Sequence, residues 1–451
     1  PTRRSSDLLM VPAANKNVVL PVGRTTLEGV KPRDAVLRQL HETLRAASRE
    51  AGTRRANRGS APSLPPQSAP ALPETFASRV DGPVVDLIVF SNGGRELIAG
   101  ASGSTIDLMD DAGRPIAQMR TDGKIRQVHW WPEARLLLAG CDDEKVCAFD
   151  LGGERKWTFV SEMDPAVFRA AKQYWFKTAP GHGGIHGLNT GIFLNGESQA
   201  FVGSACTLEI IGQDGKLVKR LPQFWGTVHK FAVVPASDDS LNLLASRNIT
   251  DGPSLGIINS RTLDPKPRGF DGVPEGHTRV SGWSDQTRHH IFVEDLDADG
   301  RKEVISEITG AWNRLTAWNL QGQPLHNVQF GPGRRNLTGE VRDLDVGSLL
   351  DGNKKSVAIG LAEGLLVAFD HRFEKLWSRR LPSPPVVLKI ANSRIVVASE
   401  DGSVSVFGRQ GQLEATAKLP GRPSTIASPG GDDSVVIGAD SGEIRAFRLA
   451  R

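Results

Sequence analysis

From about residue 75 onward, short apolar runs recur in a fixed order. Each unit has an apolar strand, a turn, a second strand that ends in a small residue, a tight hairpin, a third strand, a polar turn and a fourth strand. The second strands end in LIAG (97–100), LLAG (137–140), AFVG (200–203), NLLA (242–245), EVIS (303–306), VAIG (357–360), IVVA (395–398) and VVIG (435–438). Short apolar runs between turn residues are typical of strands. The pattern therefore predicts an all-β chain of repeated four-stranded units.

A repeat of this length predicts a β-propeller, in which four-stranded antiparallel blades stack around a central channel. The last unit reaches Arg451 without a fourth strand, and ETFASRV (74–80) just before the first unit can supply it. This N-terminal strand would close the ring and remove its open edges. We expect eight blades, with seven as the alternative if the weak fourth unit (228–270) does not form a separate blade.

Residues 1–74 lie outside the repeat and are expected to form a non-propeller segment before the propeller of residues 75–451. Within this segment, PTRRSSDL (1–8) resembles the translation of a common sequencing adapter, which would make it an artefact. The apolar spacing of residues 32–51 predicts an amphipathic helix, and the Pro/Ser/Ala-rich residues 52–74 predict a disordered linker. On this interpretation the natural N-terminus is missing, and a lost N-terminal domain of the same parent chain is an expected partner.

The charge distribution bears on the partner. The net charge of +4 conceals an N-terminal excess, since residues 1–80 carry +7 and the remainder carries −3. A nearly neutral, slightly acidic propeller argues against nucleic acid as the main partner. No apolar run reaches the roughly 18 residues that cross a bilayer, so the sequence predicts no membrane span.

One polar turn has the spacing of a calcium loop. In VEDLDADGRKEVI (293–305), Asp295, Asp297 and Asp299 alternate, Gly300 permits a sharp bend, and Glu303 follows. Calcium takes about six to eight oxygen ligands, which alternating carboxylates on one turn can supply. The sequence predicts a calcium ion bound by these four acidic residues. The loop joins the first and second strands of blade 5, so we expect the ion to be structural.

Two repeat families resemble parts of this chain. VCAFDLGGERKW (146–157) and LVAFDHRFEKLW (366–377) resemble the repeat of quinoprotein-like propellers, in which a Trp ends the blade and packs on its neighbour. DLDADGRKE (295–303) resembles the FG-GAP/VCBS repeat of integrin-α-like propellers. The resemblance implies the propeller fold, a structural calcium ion and an exported protein, extracellular or periplasmic. Quinone oxidation is not expected, because no two cysteines are adjacent here.

Extra chain length and unusual side chains occur together in blades 2 to 6. By propeller connectivity these segments emerge at one end, opposite the calcium loop. We expect a ligand-binding face on blades 3 to 5. Its candidate residues are Trp175, His182, Trp225, His277, Trp283, Trp312, Asn313 and Arg334.

Tryptophan with Arg and His suits a sugar ring that carries a carboxylate or sulfate. The sequence therefore predicts an exported propeller that binds an anionic carbohydrate. An alternative is a polysaccharide lyase that cleaves a uronate-containing glycan by β-elimination, a reaction that needs a base, an acid and a cation for the carboxylate. Its candidate residues are His186 or His229 as base, Tyr174 as acid, and Arg279 or Arg314 as cation. A further alternative is a non-catalytic propeller that binds proteins.

Overall fold

The computed structural model describes residues 69–172, 183–249, 255–264, 268–269, 286–310, 313–331, 339–429 and 433–449, together with two short strands near the N-terminus. The chain divides into two compact units, Pro1–Ser63 and Leu64–Arg451. In the first unit, β1 (Met10–Ala13) and β2 (Lys16–Val19) pair as an antiparallel hairpin. The helix predicted over 32–51 and most of the linker predicted over 52–74 lie outside the described residues.

Five blades of the second unit are separate four-stranded antiparallel sheets, numbered here by the repeat unit that forms them. Blade 1 comprises β4 (Val84–Asn92), β5 (Arg95–Ser102), β6 (Thr105–Asp110) and β7 (Pro115–Arg120). Blade 2 comprises β8 (Ile125–Trp131), β9 (Leu136–Cys141), β10 (Lys145–Phe149) and β11 (Arg155–Val160). Blade 6 comprises β23 (Val341–Gly347), β24 (Ser356–Leu361), β25 (Leu365–Phe369) and β26 (Lys375–Arg380). Blade 7 comprises β27 (Pro385–Ala391), β28 (Arg394–Ser399), β29 (Ser403–Phe407) and β30 (Leu413–Lys418). Blade 8 comprises β31 (Pro423–Ala427), β32 (Ser434–Ala439), β33 (Glu443–Arg448) and β3 (Glu74–Arg79).

The remaining strands form one eleven-stranded sheet. Its strands are β12 (Gly187–Ile192), β13 (Ser198–Ile211), β14 (Leu217–Pro235), β15 (Leu241–Ile249), β16 (Leu255–Asn259), β17 (Arg268–Gly269), β18 (Gln286–Thr287), β19 (Phe292–Glu294), β20 (Glu303–Gly310), β21 (Asn313–Asn319) and β22 (Pro324–Gly331). Blade 4 consists of the second half of β14 with β15, β16 and β17, and blade 5 consists of β19 to β22.

The all-β propeller prediction is confirmed. The described residues form seven four-stranded blades, which is the alternative number. The preferred count of eight is corrected at the third unit, which contributes the three strands β12, β13 and β14 to the merged sheet. Its predicted second and third strands form the single 14-residue strand β13. Its predicted fourth strand is the first part of the 19-residue strand β14, whose second half belongs to blade 4. The weak fourth unit, by contrast, does form a blade.

The N-terminal strand β3 closes the ring by pairing with β33. The residues just before it are also held, because the Leu72 N–H donates to the Thr416 carbonyl (2.7 Å) and the Thr416 N–H donates to the Pro70 carbonyl (3.0 Å). The Leu72 side chain is buried between blades 7 and 8. The last residues of the segment predicted as linker are thus part of the propeller.

The core lies in the seams between neighbouring blades. Trp157 and Trp377 end their blades as expected, and each indole N–H donates to a carbonyl of the next unit, Gln213 and Arg409 respectively, at 2.8 Å. The described helix, α1 (Pro165–Lys172), follows β11. Among the described residues, no helix is both long and apolar enough to cross a membrane.

Candidate functional site

The first strands of the blades share a β-bulge near their N-terminal ends. In six of them the pairing with the second strand shifts by one residue at the same place. The skipped residues are Val85, Arg126, His229, Arg342, Val386 and Ser424. Each stands two residues before a side chain that packs in the core, and His186 and His290 have the same spacing to Leu188 and Phe292. A bulge redirects the side chain it displaces.

Five consecutive units therefore carry a basic or imidazole side chain at one equivalent position. These residues are Arg126, His186, His229, His290 and Arg342, in units 2 to 6. In units 7, 8 and 1 the position holds valine or serine. One position of the repeat thus supplies the basic side chains at this end of the propeller channel, which we call the channel mouth.

Four of these five side chains, those of units 2 to 5, are connected through one further residue, His289. The Arg126 Nη1 atom lies 3.1 Å from His186 Nδ1. Ring centroids are 5.9 Å apart between His186 and His229, 5.3 Å between His229 and His289, and 6.5 Å between His289 and His290. We name Arg126, His186, His229, His289 and His290 the basic arc.

His290 anchors one end of the arc between two blades. Its Nδ1 lies 3.1 Å from the Glu307 carboxylate in blade 5, and its Nε2 lies 3.1 Å from the Asp343 carboxylate in blade 6. Burial lowers the pKa of His290, but the charge of Glu307 and the contact with Asp343 outweigh it and raise that pKa to about 10. The pKa of Glu307 is lowered, because the His290 charge overcomes the effect of its own burial. His290 is therefore a paired cation at neutral pH.

The central imidazoles of the arc are neutral. Burial, followed by the charges of His289 and His186, lowers the pKa of His229 to about 3. The pKa of His289 is also lowered, chiefly by burial. The exposed Lys230 contributes to both shifts through its charge. At pH 7 these two rings can each donate one N–H and accept one hydrogen bond.

The carboxylates of the inner strands are already engaged. Asp86 accepts the Val128 N–H of the next blade (2.8 Å), and Asp343 accepts the Leu388 N–H in the same way (2.7 Å). Asp345 accepts a further N–H from the strand of blade 7. These acids therefore hold neighbouring first strands together, and of the arc residues His290 is the one that pairs with an inner-strand acid, Asp343.

The structure brings together two of the predicted catalytic residues and separates a third from them. His186 and His229 are neighbours in the basic arc. Arg314 is buried in β21, where its guanidinium donates to Gln329 (3.2 Å) and burial lowers its pKa. Asn313 beside it is fully buried. Neither residue is at the surface where a carbohydrate ring would contact it.

Most of the other predicted site residues lie outside the described part of the chain. They are Tyr174, Trp175, His182, His277, Arg279, Trp283, Trp312 and Arg334, and the side chain of Trp225. These predictions stay as made.

The sequence interpretation did not select Arg126, His290 or Arg342. It searched the longest insertions, whereas these residues lie at the starts of inner strands of ordinary length. The signal was the fixed distance of two residues before an apolar core position, as in RQV (126–128) and HKF (229–231). Superposing the units on that position would have shown the run of basic side chains.

The predicted calcium loop lies at the other end of the first strand of blade 5, between β19 and β20. Carboxylate oxygens of Asp295, Asp297 and Glu303 lie within 4.8 Å of one another. The backbone N–H of the exposed Asp299 donates to the Asp295 carboxylate (3.1 Å). Burial, together with the neighbouring aspartates, raises the pKa of Glu303. Carboxylate oxygens are ligands that Ca²⁺ uses, and the calcium ion at Asp295, Asp297, Asp299 and Glu303 stays a prediction.

Comparison with known proteins shows the fold class. No protein-family model matches the sequence, and no curated protein matches it. The computationally designed Ika8 protein is similar in structure (TM-score 0.57, 16% identity, 84% of this chain and 100% of that chain). BamB from Moraxella catarrhalis (0.56, 15%, 84% and 98%) and Sqt1 from Saccharomyces cerevisiae (0.61, 12%, 84% and 100%) are similar as well. Identities this low show a shared β-propeller fold, and no family match confirms the FG-GAP or quinoprotein-like resemblance.

Proposed function

We propose that this propeller binds an anionic carbohydrate, with uronate or sulfate groups, at the channel mouth that carries the basic arc. The supporting observation is the unbroken series of contacts from Arg126 through His186 and His229 to His289. Guanidinium and imidazole N–H groups are directional donors that suit carboxylate and sulfate oxygens.

The balance of charge supports an anionic ligand. Arg126 and Lys230 are exposed cations, and His229 and His289 are neutral donors between them. The nearby carboxylates accept backbone N–H groups or pair with His290. Exposed cations beside neutral N–H donors attract an anionic group. The predicted Trp175, Trp225, Trp283 and Trp312 would add the apolar surface that covers the C–H face of a sugar ring.

Binding is favoured over β-elimination by the electrostatics of the arc. A general base works best when its pKa lies near the working pH. His229, a candidate base, has a pKa lowered to about 3, so it accepts a proton weakly. The lyase alternative would rely on His186 as base. Its acid Tyr174 and its cation Arg279 both lie outside the described residues.

The proposal also includes a structural calcium ion and export from the cytoplasm. Asp295, Asp297 and Glu303 would hold a structural Ca²⁺ that cross-links the hairpin of β19 and β20. The resemblance to FG-GAP repeats supports an exported protein, extracellular or periplasmic.

The test is calorimetric titration with polygalacturonate and with the same polymer after full methyl esterification. We expect binding only to the charged polymer, with an affinity that falls as salt is added. Arg126→Gln should weaken binding by about tenfold or more, the usual contribution of a charge-assisted hydrogen bond. Lys216→Gln removes an exposed charge from a turn at the opposite end and should leave binding unchanged.

Two results would refute the proposal. One is equal binding of the charged and esterified polymers, and the other is an Arg126→Gln variant that binds as tightly as the wild type. If a panel of uronate and sulfated polysaccharides shows no binding at all, the protein-binding alternative takes precedence. Ultraviolet absorbance of an unsaturated sugar product, recorded in the same samples, would reveal a lyase.

A further inference from the structure

The seam between blades 8 and 1, where the ring closes, differs from the other seams in the side chains that pack in it. Among the described residues, seven of the eight hydrophobic clusters contain at least one buried Phe or Trp. The cluster between blades 8 and 1 contains none, and its only aromatic member, Phe76, is partly exposed. Protein interiors normally have few voids larger than a water molecule.

Phe76 occupies the place that Trp157 occupies at an earlier seam. A Cβ atom on Gly113 would lie 2.4 Å from the Phe76 ring, and one on Gly215 would lie 2.6 Å from the Trp157 ring. The Trp157 indole also donates to the carbonyl two residues before its glycine. At the closing seam the equivalent carbonyl is that of Asp111, and phenylalanine has no N–H to donate to it.

A cavity of about 630 Å³ opens at this seam. Phe76, Ile98 and Val436 form part of its apolar wall. The volume falls within the roughly 300–1,000 Å³ typical of small-molecule sites. The cavity is bordered by the turn of β6 and β7 and by the ends of β31 and β32, so it opens at the end of the propeller opposite the basic arc.

The charged residues of the cavity are mainly acidic. Glu96, Asp111 and Asp433 line it, and Arg448 is the one cationic side chain among the described lining residues. An excess of carboxylates beside an apolar wall favours a ligand that has both a positive charge and an apolar body.

We propose that this cavity binds a small amphiphilic amine with a flat aromatic ring. The ring lies beside Phe76, in space that the larger indole of a tryptophan at position 76 would partly fill, and a ring N–H donates to the Asp111 carbonyl. The ammonium group lies among the carboxylates at the rim. This site is independent of the carbohydrate site, so either can fail without the other.

Calorimetric titration with tryptamine tests the proposal, and indole-3-acetate is the matched ligand with the opposite charge. We expect tryptamine to bind and indole-3-acetate to bind at least tenfold more weakly. Phe76→Trp supplies the missing indole from the chain itself, so it should abolish tryptamine binding and raise the melting temperature. Asp111→Asn should weaken binding several-fold, whereas Asp214→Asn, on the equivalent turn of the Trp157 seam, should not.

If Phe76→Trp does not fold, Ala446→Leu narrows the same cavity from β33 and should also abolish binding. Tryptamine binding that survives a folded cavity-filling variant would overturn the proposal, because the ligand would then occupy another place. Equal binding of tryptamine and indole-3-acetate would overturn it as well, since the carboxylates would then have no influence.

Discussion

His290 is the group whose protonation the structure ties most closely to stability. Its ring is held between Glu307 and Asp343 at 3.1 Å on each side, so it connects blades 5 and 6 as an imidazolium. Its pKa rises from an ordinary 6.5 to about 10. The perturbation to make is His290→Gln, which keeps a hydrogen-bonding side chain but removes the titrating charge.

The magnitude follows from the size of the pKa shift. One pKa unit corresponds to about 1.4 kcal/mol, so a rise from 6.5 to about 10 corresponds to roughly 4–5 kcal/mol. The folded-state pKa is raised, so this stabilisation is fully present below pH 6.5 and is lost as the pH rises to about 10. The lowered pKa of Glu307 comes from the same ion pair, so it adds no further free energy of stabilisation.

Urea unfolding of the wild type and His290→Gln between pH 6 and pH 10 measures this effect. We expect the difference in their free energies of unfolding to be largest at pH 6 and to shrink by several kcal/mol towards pH 10. His326→Gln is the matched control, because burial lowers the pKa of His326 and it stays neutral across that range. A constant difference between wild type and His290→Gln at all pH values would refute the reasoning.

Three further predictions concern packing and metal binding. Leu72→Ala should lower the free energy of unfolding by about 2–4 kcal/mol, since Leu72 is 6% exposed, whereas Leu325→Ala, at a 39% exposed site, should cost under about 0.5 kcal/mol in the same urea titration. Gly411→Ala should destabilise by at least about 1 kcal/mol more than Gly352→Ala, because both have positive φ but only Gly411 would place a Cβ 2.6 Å from Trp377; equal losses would contradict that contact. Calcium should raise the melting temperature of the wild type and a chelator should reverse this, whereas Asp295→Asn should show no response and Asp351→Asn, in the matching loop of blade 6, a normal one. A calcium response that survives Asp295→Asn would contradict the predicted ligands.

The sequence predicts the blades well where turn residues separate the strands. In unit 1 the hairpin SGST (102–105) contains a glycine, and β5 and β6 are separate strands. In unit 3 the corresponding SACT (204–207) has no glycine, asparagine or aspartate. It lies within β13, where Cys206 has the left-handed φ of 55°. The boundary was missed because repeat spacing was used in place of turn chemistry.

The site was predictable only in part, for a similar reason. His186 and His229 were selected because they lie near insertions, and they do lie together. Arg314 was selected for its residue type in a short loop, but it lies in β21 with a buried side chain. Residue type alone does not distinguish a buried guanidinium from an exposed one, and the contact of His290 with Asp343 joins residues of different blades that only the folded ring brings together.

The pairing of β3 with β33 has a consequence for the order of folding. Thr75 donates to the carbonyl of Ala446, 371 positions later in the chain, so blade 8 cannot form until nearly the whole propeller has been synthesised. Contacts of such sequence separation form slowly, because a long loop must close first. Until then β3 lacks its partner strand β33, and the newly made chain is an open arc. The period before ring closure is therefore when this protein is most exposed to aggregation and proteolysis.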